Sequence, residues 1–172
     1  GVIRRSKLPV LLDKFPLDAS DDPQRYCEEC PPLLERVLVT IDLSRASKGM
    51  LPFVQQLIDA GARKMTLFHV VQSSRYSMTY DKRFQEVKRK MEAYQAKLDA
   101  KDCEIDVHLH FGTTTYNILE AAREIDATLI VCSILKVPGI NLPKSIALAA
   151  MAAANAPPAP LMVNRQYNAR RP

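Results

Sequence analysis

The feature that most restricts the fold of this chain is a regular alternation between short β-branched runs and stretches of helical periodicity. Arg36–Ile41 has the sequence RVLVTI, which is typical of a strand buried on both faces. Apolar residues then recur at helical spacing over 50–58, and Gly61 supplies a C-terminal stop. Strands that alternate with helices in this way predict a parallel α/β sheet with right-handed crossovers.

The rest of the chain continues the alternation. Further strands are predicted at 65–71, 105–110, 128–132 and 161–163, and further helices at 84–98, 118–125 and 145–155. The apolar stripe of the helix at 84–98 indicates core packing rather than a groove for a partner. In parallel sheets, ligands bind at the carboxyl ends of the strands. The residues at those ends are Asp42, Val70, Val71, Gly112 and Ser133.

Glycine is scarce in this sequence. The 172 residues contain five glycines and twelve prolines, whereas an average glycine usage of about 7% would give roughly twelve glycines. The glycines are also well separated along the chain. The sequence therefore excludes a Walker loop and a G-x-G-x-x-G turn, since both need closely spaced glycines.

Charge and composition exclude several other classes of protein. The net charge of +5 is modest, aromatic residues make up 6% of the chain and tryptophan is absent. A nucleic-acid surface would combine a denser basic stripe with aromatic side chains. The chain has no run of about eighteen apolar residues, so no membrane span is expected. Four cysteines do not make a disulfide scaffold at this length, and a reducing, cytoplasmic setting is expected.

Five segments, taken in chain order, resemble the universal stress protein family. They are VLVTIDLSRAS at 37–47, DAGARKMTLFHVV at 59–71, HFGTTTYNILEAAREIDATLIVCS at 110–133, KSIALAAM at 144–151 and PLMVNR at 160–165. The family pattern has a first strand ending in Asp-x-Ser, a second ending in His-Val and a glycine after the third. A Leu-Ile-Val fourth strand and a closing Pro-Val-Leu-Val strand complete it. The match extends over about 35–165.

The resemblance implies a Rossmann-like fold of the adenine nucleotide alpha hydrolase type. Its five-stranded parallel sheet would have the order 3-2-1-4-5, with helices on both faces, and dimers would pair their fifth strands antiparallel. Nucleotide-binding members hold ATP or AMP with the Asp of the Asp-x-Ser motif. This Asp corresponds to Asp42, and the serine of the motif corresponds to Ser44. A second-strand valine corresponds to Val70 or Val71, and the glycine after the third strand corresponds to Gly112.

The phosphate loop of such members, G-x2-G-x9-G-[ST], is altered in this chain. Its glycines correspond to Ser133, Lys136 and Lys144, the last followed by Ser145, and seven residues rather than nine separate the two lysines. Phosphate cradling needs converging backbone N–H groups and often a positive φ, which glycine allows. The changed loop therefore predicts a weakened phosphate site, so a cofactor is not expected, with ATP or AMP as the alternative.

The first residues resemble the end of a second copy of the same family. The segment Pro9–Leu12 is similar to the closing strand Pro160–Val163. We therefore expect 1–15 to be the closing strand of a preceding domain, or else an added strand, joined by a linker at 16–34 to a domain at 35–165 with a basic tail at 166–172. Because an unpaired apolar edge promotes aggregation, we expect strand pairing, within one chain or across a dimer. The residues concerned are Val10, Leu11, Leu12, Leu161, Met162 and Val163.

Other chemistry-bearing residues favour structural roles. Cys27 and Cys30 form a CxxC pair, but zinc would need two more ligands and a redox motif would need a flanking strand and helix. His69 lies in a buried strand and is expected to be a hydrogen-bonded core residue. His108 and His110 share one face of their strand without a visible third metal ligand.

No set of nucleophile, base and orienting residue is visible in the sequence. Ser44 is more simply a helix N-cap than the partner of Asp42 in a catalytic pair. Thr113–Thr115 is also expected to cap a helix, although the family resemblance would make it a wall of the ligand pocket. A nucleotide hydrolase would need a glycine- or serine-rich loop after the first strand, which 42–45 does not supply. The sequence therefore predicts a non-catalytic regulatory or binding module, with an ATP- or AMP-binding sensor as the alternative.

Overall fold

The computed structural model describes residues 10–12, 32–71, 80–135 and 161–166. The strands in these residues are β1 (Val10–Leu12), β2 (Arg36–Thr40), β3 (Lys64–Val71), β4 (Glu104–Phe111), β5 (Leu129–Leu135) and β6 (Leu161–Gln166). The helices are α1 (Arg45–Asp59), α2 (Tyr80–Gln95) and α3 (Thr114–Glu124). The predicted final helix, 145–155, lies outside the described residues. None of the described helices is long and apolar enough to cross a bilayer.

The strands form one sheet in the order β1-β6-β5-β2-β3-β4. All neighbouring pairs from β6 to β4 are parallel. Numbered from β2 onwards, these five strands have the order 3-2-1-4-5, which confirms the predicted Rossmann-like fold. β1 adds an antiparallel strand at the β6 edge, with Val10 opposite Val163 and Leu12 opposite Leu161.

Several strands extend beyond their predicted ends. β5 continues from Cys132 to Leu135 and β6 continues from Val163 to Gln166, because the two strands keep pairing through Leu135 opposite Gln166. β4 likewise gains one residue at each end, since it pairs with β3 over its whole length. Continued ladder pairing, rather than local residue type, therefore sets the strand ends.

The larger core lies on the face of the sheet that α1 and α2 cover. Odd-numbered strand residues and the apolar stripes of both helices meet there, including Val37, Val39, Met65, Leu67, Met50, Val54, Val87, Met91 and Tyr94. The stripe at 84–98 is thus core packing, as predicted, although α2 ends at Gln95. Leu98 reaches the core from the tighter turn that follows, where its N–H donates to the Gln95 carbonyl oxygen at 3.0 Å.

Helix α3 lies against β2 and β3 on the opposite face, with Ile118, Ala121 and Ala122 buried. Its first turn follows the carboxyl end of β4, and α1 likewise follows the carboxyl end of β2. Both connections therefore meet at the carboxyl edge of the sheet, which is where the candidate ligand residues lie.

The amino edge of the sheet is fixed by a separate set of contacts. The buried Thr128 hydroxyl accepts a hydrogen bond from the Arg36 N–H at 2.8 Å and lies 3.0 Å from the Leu33 carbonyl oxygen. The Arg36 guanidinium bonds both the carbonyl oxygen and the carboxylate of Asp126, at 2.7 and 2.8 Å. These bonds hold the beginnings of β2 and β5 together.

Candidate functional site

The parallel sheet brings most of the predicted site residues to one edge. Asp42 follows β2, Val70 and Val71 end β3, and Gly112 follows β4. The backbone of Ser133 lies in β5, two strands away from β3 in the sheet. Lys136, Lys144 and Ser145, which complete the predicted phosphate loop, lie outside the described residues.

A compact hydrogen-bond network surrounds Asp42. The Asp42 N–H donates to Ser47 Oγ at 3.0 Å, and the same hydroxyl donates to Asp42 Oδ1. The Ser44 N–H donates to Oδ1 as well, at 2.9 Å. Leu43, between them, has a φ of 61°, a left-handed conformation that is uncommon for leucine. The network therefore fixes both the direction of the carboxylate and the turn that carries it.

Ser44 and Ser47 share the start of α1. Ser44 Oγ accepts from the Ser47 N–H at 3.4 Å, so Ser44 is the helix N-cap that the sequence predicts. The sequence alone does not identify Ser47 as a site residue. The available signal was a serine three positions after a cap, where a polar side chain can reach back to an N–H that precedes the helix.

The hydrogen bonds determine the charge of Asp42. Desolvation of the carboxyl group favours its neutral form, but the hydrogen bonds from Ser44 and Ser47 outweigh this effect and lower the pKa of Asp42. The carboxyl edge therefore carries a fixed negative charge near neutral pH, with Oδ1 engaged by two donors.

His69 joins β3 to the residue before Asp42. Its Nδ1 lies 2.6 Å from the Ile41 carbonyl oxygen, and because a carbonyl oxygen only accepts, Nδ1 carries the hydrogen. Burial lowers the pKa of His69 and the positive charge of Arg83 acts in the same direction, against the opposing effects of the Ile41 bond and the Asp42 charge. His69 is thus the hydrogen-bonded histidine that the sequence predicts, half-buried rather than fully buried.

The ends of β3 and β4 are joined through Gly112. The Gly112 N–H donates to the Val71 carbonyl oxygen at 3.2 Å, and its φ of 121° is a conformation that side chains other than glycine rarely adopt. Val70 and Val71 are buried, at 8% and 4% exposure. Both valines therefore leave little surface for a ligand.

The predicted threonine cap of α3 is only partly correct. Thr113 occupies the N-cap position with extended backbone angles, but its side chain makes no capping hydrogen bond. The Asn117 side chain bridges the turn instead, because its Nδ2 donates to the carbonyl oxygens of Phe111 and Thr113 at 3.2 and 2.9 Å.

The remaining candidate residues are buried, take part in a separate contact or lie outside the described residues. Cys27 and Cys30 lie outside the described residues, and Cys132 is buried, which raises the pKa of its thiol to about 12. His110 Nε2 lies 4.0 Å from Glu124 Oε2. Among the described residues, no cluster of histidine, cysteine and carboxylate side chains has the makings of a metal site.

The sequence profile of the universal stress protein family matches residues 34–138. That span contains β2 to β5 and the whole of the Asp42 network. The chain belongs to the universal stress protein family. No curated protein sequence gives a significant match to it.

Several solved structures have the same fold, and two of those that follow are of universal stress proteins. The structure of the hypothetical protein MJ0577 superposes with a TM-score of 0.65 at 16% identity, covering 80% of this chain and all of that one. A universal stress protein from Archaeoglobus fulgidus DSM 4304 gives 0.58 at 23% identity, covering 97% of this chain and 53% of that chain. A universal stress protein from Archaeoglobus fulgidus, solved in complex with dAMP, gives 0.54 at 17% identity, covering 75% and 96%.

Within the universal stress protein fold, Asp42 and Gly112 lie after the first and third family strands. His69 precedes the pair of valines at the end of the second. The structure adds contacts that the motifs do not contain, namely those of Ser47, His69 and Asn117.

Proposed function

We propose that this universal stress protein domain is a non-catalytic binding module with a regulatory role. The proposal rests on one observation: polar side chains at the carboxyl edge bond to one another or to the backbone. Ser47 is 1% exposed and its hydroxyl is bonded to Asp42, and the His69 imidazole donates to a backbone carbonyl. A catalytic serine or histidine would instead face the substrate within hydrogen-bond reach of its partner.

A second candidate function is the binding of ATP or AMP. It is favoured by the ionised Asp42 carboxylate at the carboxyl edge and by the related fold that was solved in complex with dAMP. The replaced glycines at Ser133, Lys136 and Lys144 argue against a strong grip on the phosphates. Binding of this kind would rest on the nucleoside half of the ligand, so adenosine and ATP would bind about equally well.

Thermal unfolding with and without nucleotide tests these proposals. A ligand at about 100 times its Kd stabilises a protein by about 2.7 kcal/mol, which moves the Tm of a domain of this size by several degrees. We expect millimolar ATP, ADP or AMP to shift the Tm by less than about 1 °C. We also expect no release of phosphate from ATP under the same conditions.

The Asp42→Ala variant identifies the site if a shift is found. The wild type and the exposed control Glu92→Ala would then show a Tm shift of several degrees with nucleotide, and Asp42→Ala would show none. This result would establish nucleotide binding at Asp42 in place of the regulatory module proposed first. Turnover of ATP by the wild type would refute the non-catalytic assignment. Calorimetric titration with adenosine and ATP then shows whether the phosphates contribute to affinity.

We further propose that β1 takes the place of a partner strand at the β6 edge. Support comes from the antiparallel β1–β6 ladder and from the similarity of Pro9–Leu12 to Pro160–Val163. The Archaeoglobus fulgidus DSM 4304 protein, which is about twice as long as the matched region, aligns with nearly the whole chain. This arrangement corresponds to a pseudo-dimer within one polypeptide, of which this chain would carry the closing strand of the preceding domain.

A further inference from the structure

The outer side of β4 is an open sheet edge within the described residues. β4 pairs with β3 over all eight residues, and no described strand lies on its other side. The Glu104 N–H donates to Arg63 and the Gly112 N–H donates to Val71. Even-numbered residues of β4 therefore turn their backbone groups towards β3, and odd-numbered residues turn theirs outward.

The two ends of this open edge are already engaged. The Gln95 side chain donates to the Ile105 carbonyl oxygen at 2.5 Å, and Asn117 donates to that of Phe111 at 3.2 Å. The backbone groups of Val107 and Leu109 lie between these two contacts. The centre of the edge is thus the part that is suited to a new strand.

Carboxylate and imidazole side chains are segregated along β4. On one face the strand carries Glu104 and Asp106 in its first half and His108 and His110 in its second half. Lys64 neutralises part of the acidic half, with Nζ 3.1 Å from Glu104 Oε1 and 3.4 Å from Asp106 Oδ2. Ile105, Val107 and Leu109 lie on the other face and pack against the core.

We propose that β4 pairs antiparallel with β4 of a second copy of this chain, about a two-fold axis at Val107. In this register Val107 faces its own counterpart as a hydrogen-bonded pair. Asp106 then lies opposite His108, and Glu104 lies opposite His110. These even-numbered residues form the non-hydrogen-bonded pairs, in which side chains are closest.

The side-chain pattern favours this register and this occupant, because it sets all four carboxylates of the two strands opposite imidazoles. Moving the axis to Asp106 sets two aspartates opposite each other, and moving it to His108 sets two histidines opposite each other. An in-register parallel pair would set every residue opposite its own copy. An imidazole N–H can donate a hydrogen bond to a carboxylate opposite it, whereas two carboxylates opposite each other repel. The β6 edge already carries β1, so the β4 contact is separate from pairing through the fifth family strand.

Sedimentation over a range of concentrations tests the proposal together with two variants. His108→Asp places two carboxylates opposite each other, and we expect it to weaken self-association at least about tenfold. The exchange variant Asp106→His/His108→Asp restores opposite partners in the same register, and we expect it to associate within about threefold of the wild type. Matching circular dichroism and Tm values show that both variants are folded.

Amide hydrogen exchange locates the contact. We expect the Ile105 and Val107 amides of the wild type to become protected as the concentration rises, since in this register they face the carbonyl oxygens of Leu109 and Val107, while those of His108→Asp do not. A chain that is monomeric at all concentrations would overturn the proposal. So would association that His108→Asp leaves unchanged, association that the exchange variant fails to restore, or protection confined to Leu161–Gln166.

Discussion

Single hydrogen bonds fix the geometry of the carboxyl edge at the residue scale. The Ile41 carbonyl oxygen receives the Nδ1–H of His69, and the next residue, Asp42, is held through Ser47. A shift in either bond would move the carboxylate. His69 is therefore a positioning residue for Asp42, and its protonation state is linked to the stability of the fold.

The stability of the domain is expected to fall on acidification through His69. The pKa of His69 is lowered in the folded chain by burial, so the unfolded chain binds the proton more readily and the stability from neutral His69 is lost as the pH falls below about 6.5. His69→Asn can keep a donor at the position of Nδ1 without titrating. We expect its free energy of unfolding in urea to change less than that of the wild type between pH 7.5 and 5.

His69→Gln serves as the control for that experiment. Its longer side chain places the amide beyond the position of Nδ1, so we expect it to be less stable than His69→Asn at every pH. If His69→Asn retains the full pH dependence of the wild type, the acid sensitivity arises elsewhere in the chain.

At the scale of elements, the turn from β4 to α3 depends on one glycine and one amide. A Cβ added to Gly112 would lie 3.2 Å from Asn117 Nδ2, whereas nothing lies within 4 Å of one added to Gly61. Both glycines have a positive φ, 121° and 97°. The two positions thus share backbone strain but differ in contact with a neighbour.

Gly112→Ala is expected to destabilise the domain by about 1–3 kcal/mol. The added methyl group strains the backbone and displaces the Asn117 amide, which holds the carbonyl oxygens of Phe111 and Thr113. Gly61→Ala is the matched variant and should cost less, since it carries the backbone term alone. Equal losses for the two variants in equilibrium urea unfolding would show that the Asn117 contact contributes nothing.

Strand and helix identity could be predicted from the sequence because burial imposes a period on the residues. Val37 and Val39 in β2, and Met91 in α2, follow that period and lie in the core. Contacts between distant segments leave no such pattern. The bond from His69 to Ile41 spans 28 positions, so the histidine could be predicted as buried but its role beside Asp42 could not.

At the scale of the whole molecule, the sheet has two edges in different states. β1 covers β6, while β4 carries no further strand within the described part of the chain. Edge strands with free backbone groups tend to recruit other strands. Which edge is open therefore determines which copies of the protein can associate, and through which surface.

Removal of residues 1–13 is expected to open the β6 edge. Without β1, the chain should gain a concentration-dependent dimer in which amides of Leu161–Gln166 become protected from exchange. The experiment is best done with His108→Asp present, so that pairing through β4 does not contribute. A truncated chain that sediments like its full-length counterpart would show that β1 does not occupy a dimer surface.

The antiparallel direction of β1 has a practical consequence for labelling. Its first residue, Val10, pairs with Val163, which lies beside Cys132 towards the carboxyl edge, and its last, Leu12, pairs with Leu161 nearer the amino edge. A fluorophore attached at the start of β1 therefore lies towards the carboxyl edge of the sheet, where Asp42 also lies. One attached at its end lies level with Ile130 and Leu38, in the middle of the sheet. The two ends of β1 are about 7 Å apart, so a dye at Val10 is the better placed of the two to report on ligand binding at the carboxyl edge.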